Sequence, residues 1–321
     1  MKQLSPTSNN IKISAKELKL GNLVAFPTET VYGLGADGLN PIAVSKIFET
    51  KKRPTFNPLI LHINSMQMLN RIAWLKEKKI EKLLDKFWPG PLTIILPKKE
   101  IVPDIVTAGL ETVAVRMPNN KIALQLIKEL GNPIAAPSAN SFGKLSPTTA
   151  EHVAKQLGEK VDIILDGGSC NVGVESTIVK ITKDKNYLLR PGGISVEELE
   201  SVAGKFENLN NENKPDSPGQ LKIHYAPEIP IYFFDEEKII ENRYKNLGGL
   251  FFRKSKLEKY FSSIKILSQK GNLNEAAANV FSFLHEFENE NVDMIFVEPI
   301  EYSGLGNAIM DRLSKAVNKF R

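Results

Sequence analysis

Short continuous apolar runs and stretches of helical periodicity alternate along most of this chain and set out its elements. Apolar runs of strand length stand at 22–27 (Leu23-Val24-Ala25-Phe26), 58–63, 92–96, 133–136, 163–165 and 177–182. Residues 112–117 alternate instead, with Val113, Val115 and Met117 on one face. Helical spacing places Ile42, Val44, Ile47 and Phe48 in a helix at 41–51 and predicts further helices at 76–87, 121–130 and 149–157. Trp88-Pro89-Gly90-Pro91 stops the second of these, and Gly131 stops the third, because glycine tolerates the left-handed residue that ends a helix. Ser195 and Glu198 have the spacing of a capping box and open a helix after Arg190-Pro191-Gly192-Gly193. Ser14 would cap a helix starting at Ala15, which leaves 1–10 as a frayed start.

The pattern then lapses. Residues 208–220 are rich in Asn, Pro, Asp, Ser and Gly, lack any apolar period and read as an exposed linker. Strands at 229–234, 248–252 and 292–297 follow, with an amphipathic helix at 273–288 and a basic terminal helix at 307–320. The expectation is an α/β chain: a domain at 1–207, a linker at 208–228 and a smaller α/β domain at 229–321.

Charge and cysteine content narrow the chemistry. A net charge of +5 over 321 residues favours anionic partners such as nucleotides or RNA. The single Cys170 leaves no intrachain disulfide and no cysteine-cluster metal site, which fits a reducing compartment. The polar start carries no apolar signal core, and no uncharged run nears the roughly 20 residues that cross a bilayer. A cytoplasmic location without membrane contact is expected.

One loop stands out chemically: Ser138-Ala139-Asn140-Ser141-Phe142-Gly143-Lys144-Leu145-Ser146-Pro147-Thr148. It holds no acid, Cys or His, so it cannot shuttle protons. It can offer hydroxyls, an amide and backbone N–H groups to an anion, with Lys144 beside them. Upstream, Lys51-Lys52-Arg53-Pro54 concentrates positive charge. Alone, that triplet suits a solvated helix C-terminus, and His62 in its apolar run suits a core histidine. Glu29 and Glu175 are tempting bases, but neither has a visible partner. Cys170 reads as an incidental thiol, and His152 and His285 as surface or partly buried residues without chemistry.

The blocks gain meaning in order. Pro27-Thr28-Glu29-Thr30-Val31-Tyr32-Gly33-Leu34-Gly35 is followed by the Lys51/Arg53 pair, Asn57-Pro58-Leu59-Ile60-Leu61-His62, Trp88-Pro89-Gly90-Pro91 and Val115-Arg116-Met117-Pro118. The Ser-Ala-Asn loop, Asp166-Gly167-Gly168, Gly173-Val174-Glu175-Ser176-Thr177, Arg190-Pro191-Gly192, Ser217-Pro218-Gly219 and His224-Tyr225-Ala226-Pro227 come next. Gly304-Leu305-Gly306-Asn307-Ala308-Ile309-Met310-Asp311-Arg312-Leu313 lies near the end. This series resembles the YrdC/Sua5 family of threonylcarbamoyl-AMP synthases, in its two-domain form, over nearly the whole chain.

The resemblance implies a twisted mixed sheet with flanking helices, then a smaller Rossmann-like C-terminal domain. It implies condensation of L-threonine, bicarbonate and ATP to threonylcarbamoyl-AMP and pyrophosphate, for the N6-threonylcarbamoyl modification of adenosine 37 in tRNA. Mg²⁺ would accompany ATP, with no metal ligand expected from protein side chains. Thr30, His62, Arg116, Ser176 and the backbone of Ala136 match threonine-contacting positions. Arg53, Asn57, Thr112, Ser138, Ser146 and Arg190 match nucleotide-contacting ones. Lys51, Arg53, Ser138 and Asn140 form the family's polar signature, expected around the phosphates and the carbamate. His224 and Tyr225 resemble a lid over the nucleotide. Two departures, Gln220 where Met is common and Phe142 where Ser is common, are expected to touch none of these positions.

The resemblance also leaves room for transient contact with the tRNA-modifying machinery, with weak or no direct RNA binding. An RNA-binding module is the runner-up, but the basic residues are dispersed and no aromatic-rich strand appears. A carbamoyl-transferring maturation domain of the same fold would lack its Cys-rich zinc segments here.

Overall fold

The computed structural model describes residues 1–209 and 217–321. Its larger sheet has eleven strands. From edge to edge these are Lys2–Leu4, Ile163–Leu165, Val24–Phe26, Gly33–Asp37, Ile134–Ala135, Ile60–His62, Thr112–Arg116, Leu92–Pro97, Thr177–Ile181, Asn186–Arg190 and Phe206–Asn208. Parallel and antiparallel pairs both occur, so the sheet is mixed. Helices Ser8–Lys19, Pro41–Lys51 and Lys121–Leu130 bury Leu18, Ile47 and Leu126 in its core, with Phe26 and Leu34 from the strands.

Local chemistry sets several boundaries where the pattern put them. The Asn40 side chain accepts from the N–H groups of Ile42 and Ala43, and Pro41 begins the helix. Gly131 ends helix Lys121–Leu130 at φ 82°. Ser195 and Glu198 form the expected capping box.

Other segments differ. The first ten residues are ordered: Lys2–Leu4 pairs with Ile163–Leu165, and Thr7 rather than Ser14 caps the first helix. Strands Gly33–Asp37, Asn186–Arg190 and Phe206–Asn208 and helix Met66–Ile72 were not anticipated. In the first of these a Cβ on Gly35 would lie 2.8 Å from both Ile134 and Phe26 side-chain carbons, so the strand is glycine-rich because its neighbours press on it.

The second sheet is parallel throughout, in the order Ile231–Phe233, Met294–Val297, Leu247–Phe251, Ser263–Ile266. Helices Leu273–Phe287 and Gly306–Val317 pack beside it. Its apolar core runs on into Val31, Leu145, Val174, Tyr225 and Ala226, so the two units share buried surface. At Gly173 (φ 75°) a Cβ would sit 2.4 Å from the carbonyl oxygen of Ala277 and from Ala278 Cα. His152 and His285 stack across the junction with centroids 3.9 Å apart, and His285 is buried rather than superficial. His285 Nε2 lies 3.2 Å from the Ser146 carbonyl. The linker is buried at many described positions, Ser217, Gln220, His224 and Tyr225 among them, while Asn208, Lys222, Ile223 and Glu228 are exposed. Residues 210–216 of the expected linker lie outside the described residues.

Candidate active site

The strand ends at the middle of the large sheet converge with the Ser-Ala-Asn loop and the segment before the second domain. They line a partly open cavity of about 50 Å³. Its wall includes Thr30, Arg53, Ile60, His62, Arg116, Ala136, Ser138, Glu175, Ser176, Arg190, His224 and Tyr225, residues far apart in sequence.

The register explains one side. Ile60 faces Ala114 and His62 faces Arg116 on parallel neighbours, so these four alternate positions share one face of the sheet. Arg116 Nη1 donates to Thr30 Oγ1 at 2.9 Å, and Nη2 lies 2.8 Å from Glu29 Oε1. Glu29 therefore has a partner after all, in a buried ion pair. The pair is close but poorly aligned, since Arg116 Nη2 and both Glu29 oxygens lack a hydrogen bond of good geometry. Burial, then the charge of Arg116, drives the His62 imidazole down to about 3, so it is neutral at physiological pH. Its Nδ1 has no protein partner.

The opposite side is cationic. Arg53 donates from Nη2 to Asn57 Oδ1 (2.6 Å) and to the Pro58 carbonyl (2.9 Å). Arg190 donates from Nη2 to the Ser176 carbonyl at 2.8 Å and to Ser176 Oγ at 3.1 Å. Its Nη1 reaches the Pro218 carbonyl at 3.4 Å. Burial, and further the nearby charge of Arg190, lowers the Arg53 guanidinium to about 9, and burial also lowers Arg190. Lys51, Arg53, Arg116, Arg190 and Arg312 are all buried here, against the carboxylates of Glu29 and Glu175. A buried excess of positive charge is costly unless an anion completes it.

Several predicted residues stand behind the wall rather than in it. Lys51 Nζ donates to the Ser138 carbonyl at 2.6 Å and also bonds the Asn140 carbonyl. Asn140 is buried and ties its loop through the Ser141 and Lys144 carbonyls, each 2.9 Å from Nδ2. Lys51 and Asn140 thus pin the loop that presents Ser138. Ser146 Oγ donates to Glu175, and Asn57 turns its Oδ1 to Arg53. Thr112 lies outside the cavity wall, at the far end of the strand that carries Arg116, yet on the same face as Ala114 and Arg116.

Two further corrections follow. Phe142 touches a predicted site residue: its ring packs edge-on against His224, centroids 5.6 Å apart. Sequence reasoning also missed Arg312, whose Nε donates to Glu175 Oε2 at 2.7 Å from the second domain. The signal lay in the terminal block that contains it, but its partner is 137 positions away. Cys170 is buried and its thiol is pushed up to about 12 by burial, so it is inert as a nucleophile. Among the described residues no group of three His, Cys, Asp or Glu side chains stands together as a metal site.

The Phe142 contact is testable. An aromatic pair of this kind contributes about 0.5–1.5 kcal/mol. Phe142→Ser is expected to raise the hydrogen-exchange rate of the Tyr225 amide by roughly 10-fold. An unchanged rate would mean that Phe142 does not hold this segment.

Comparison with known proteins identifies the family. Residues 16–192 match the Sua5/YciO/YrdC family, described as "Telomere recombination", and residues 194–317 match "Threonylcarbamoyl-AMP synthase, C-terminal domain". The threonylcarbamoyl-AMP synthase of Bacillus subtilis is 43% identical over 327 residues, spanning 98% of this chain and 94% of the relative. That of Pyrococcus abyssi is 42% identical, spanning 95% and 93%. The crystal structure of P. abyssi Sua5 complexed with L-threonine superposes with a TM-score of 0.91 at 40% identity, covering 99% of this chain and 97% of that one. With both domains matched over nearly their whole length, the chain belongs to the Sua5/YciO/YrdC family, in its two-domain form.

Proposed function

We propose that the chain is a threonylcarbamoyl-AMP synthase that condenses L-threonine, bicarbonate and ATP and releases pyrophosphate and water. The observation that carries this reading is the cavity at the sheet's centre, cationic on one side and set with Arg116, Thr30, His62 and Ser176 on the other. The amine of threonine attacks bicarbonate to give a carbamate and water. A carbamate oxygen then attacks the α-phosphorus of ATP, and pyrophosphate leaves. No protein nucleophile is needed, so catalysis is orientation and charge neutralisation.

The roles follow from position. Arg116, backed by Glu29, offers its guanidinium to the threonine carboxylate. Neutral His62 offers its unpaired Nδ1 to a donor of threonine, with Thr30, Ser176 and the Ala136 backbone alongside. Arg53, Arg190 and Ser138 meet the phosphates, while Lys51, Asn140, Asn57 and Ser146 hold those groups in place. The apolar face made by Ile60 and Ala114 leads from Arg116 toward Thr112 and suits a purine. Pro218, Gly219, His224 and Tyr225 line the cavity, and this segment closes over bound ATP, which keeps water from a labile adenylate.

Among the described residues of this site, both oxygens of Glu175 are spent on Ser146 and Arg312, and Glu29 on its ion pair with Arg116. Mg²⁺ is taken to arrive with ATP, and no step is assigned to it.

We take 1–207 as the catalytic domain, 208–228 as linker and lid, and 229–321 as the C-terminal domain. No helix among the described residues is long and apolar enough to cross a membrane, and we place the activity in the cytoplasm, feeding the tRNA-modifying machinery. The test is pyrophosphate release with each substrate omitted in turn, with mass analysis of the nucleotide product. Release that needs threonine and bicarbonate, with a threonylcarbamoyl-adenylate mass, is expected. Release without threonine would overturn the assignment.

A further inference from the structure

The terminal block that contains Arg312 has no part in the scheme above, yet its arginine is among the most deeply buried large side chains of the molecule. It projects from helix Gly306–Val317 of the second domain onto Glu175 and Tyr225, which line the cavity, without lining it itself. Nε donates to Glu175 Oε2 at 2.7 Å, and the other Glu175 oxygen receives the Ser146 hydroxyl. The guanidinium carbon also stands 4.9 Å from the centroid of Tyr225, within cation–π range. Tyr225 itself sits at φ 61°, a left-handed conformation that a bulky side chain adopts only when its surroundings fix it. One side chain thus touches the group that orients Ser146 and the ring that closes the cavity.

Charge explains why an arginine is needed. Burial alone would raise the Glu175 carboxyl. Arg312 foremost, then Arg190 and the hydrogen bonds from Ser146 and Arg312, bring it down to about 2. Ionised Glu175 is an acceptor only and fixes the direction of the Ser146 hydroxyl, whereas protonated Glu175 would compete to donate. Asp311 lies on the outer side of the same guanidinium, and Lys315 bridges from Asp311 (2.7 Å) to the Gly219 carbonyl (2.6 Å). Helix Gly306–Val317 therefore grips both the cavity wall and the segment that seals it.

We propose that Arg312 is a positioning residue of the active site: the second domain uses it to hold Glu175, aim Ser146 and seat Tyr225. This rests on the function proposed above. The second domain is then a working part of the site, although it supplies no group that touches the reacting atoms.

The experiment compares the full-length wild type with Arg312→Gln, Arg312→Lys and the double variant Arg312→Gln/Glu175→Gln. It measures kcat/KM for ATP from pH 5.5 to 8, and calorimetric affinity for a non-hydrolysable ATP analogue. Without Arg312 the folded Glu175 carboxyl rises, so its ionised form is lost as pH falls through the raised value. Arg312→Gln is expected to lower kcat/KM at least 10-fold and to add a loss of activity on the acid side that the wild type lacks. The double variant, having no carboxylate to titrate, is expected to lose that acid limb. Arg312→Lys, which keeps the charge, is expected to retain the wild-type pH profile and most of the activity.

A folded Arg312→Gln protein with wild-type pH dependence and kcat/KM within twofold would overturn the proposal and reduce Arg312 to an interdomain contact. Should Arg312→Gln fail to fold, Arg312→Lys with a new acid limb would count equally against it. If the wild type itself makes no threonylcarbamoyl-adenylate, the functional reading falls separately. The inference then stands or falls on whether Arg312→Gln weakens analogue affinity as pH drops.

Discussion

Arg116→Lys is expected to raise the KM for threonine roughly 30- to 150-fold while leaving the KM for ATP within about twofold. That range corresponds to the loss of about 2–3 kcal/mol of charged hydrogen bonding, the upper part of the usual range for such bonds. Lysine keeps a positive charge beside the buried Glu29, so the carboxylate is not stranded. It loses the planar fork that meets Thr30 at one nitrogen and has another to give to a substrate carboxylate. Arg116→Ala would be the poorer probe. Removing one partner of a buried pair costs about 3–5 kcal/mol in stability, which would mix misfolding with lost binding. The decisive measurement is steady-state pyrophosphate release with threonine varied at saturating ATP. An unchanged threonine KM in a folded Arg116→Lys protein would remove Arg116 from the threonine site.

Arg53→Gln is the second large effect. It is expected to lower kcat/KM for ATP by about 100- to 1000-fold, the usual consequence of removing one preorganised charge-stabilising donor. Glutamine can still donate to Asn57 Oδ1 or the Pro58 carbonyl, the groups that Arg53 now satisfies, so the fold is expected to survive. A stability measurement provides an independent check. Because Arg53 and Arg190 hydrogen-bond only uncharged groups among the described residues, pyrophosphate at about 100 times its Kd should stabilise the wild type by about 2.7 kcal/mol, a rise of roughly 5 °C in melting temperature. Arg53→Gln should lose most of that rise. Equal rises in the two proteins would place the anion elsewhere.

Much of this was legible from residue order because caps and periods are local. Asn40, Gly131 and Ser195 ended or began helices through bonds made within three or four residues. What escaped was non-local. A three-residue strand such as Lys2–Leu4 exists because Ile163–Leu165 pairs with it, and nothing in its own sequence demands it. Gly33–Asp37 has poor strand propensity, and the pressure of Phe26 and Ile134 that selects glycine there is visible only in three dimensions. The site residues were found as blocks, but the blocks did not distinguish wall from support. Lys51 and Asn140 share a signature with Arg53 and Ser138, yet only the latter two face the cavity. The polar composition of 208–220 suggested exposure, whereas Ser217 and Gln220 are buried, with Ser217 Oγ left without a hydrogen bond among the described residues. Gln220 accepts from the Ser217 N–H, and the His224 ring accepts from the Tyr225 N–H. For that reason deleting 217–227 would cost folding as well as turnover, because Tyr225 and Ala226 belong to the core of the second domain.

Gly173 has a bearing on modularity. Its missing side chain lets two backbones meet where even a methyl group would collide with Ala277 and Ala278. A contact that tight is a matched surface, cut to one helix. Chimeras that join the first half of this chain to the second half of a cousin would have to inherit that helix face together with the glycine. The two halves are therefore expected to travel through recombination as one heritable unit, not as interchangeable cassettes.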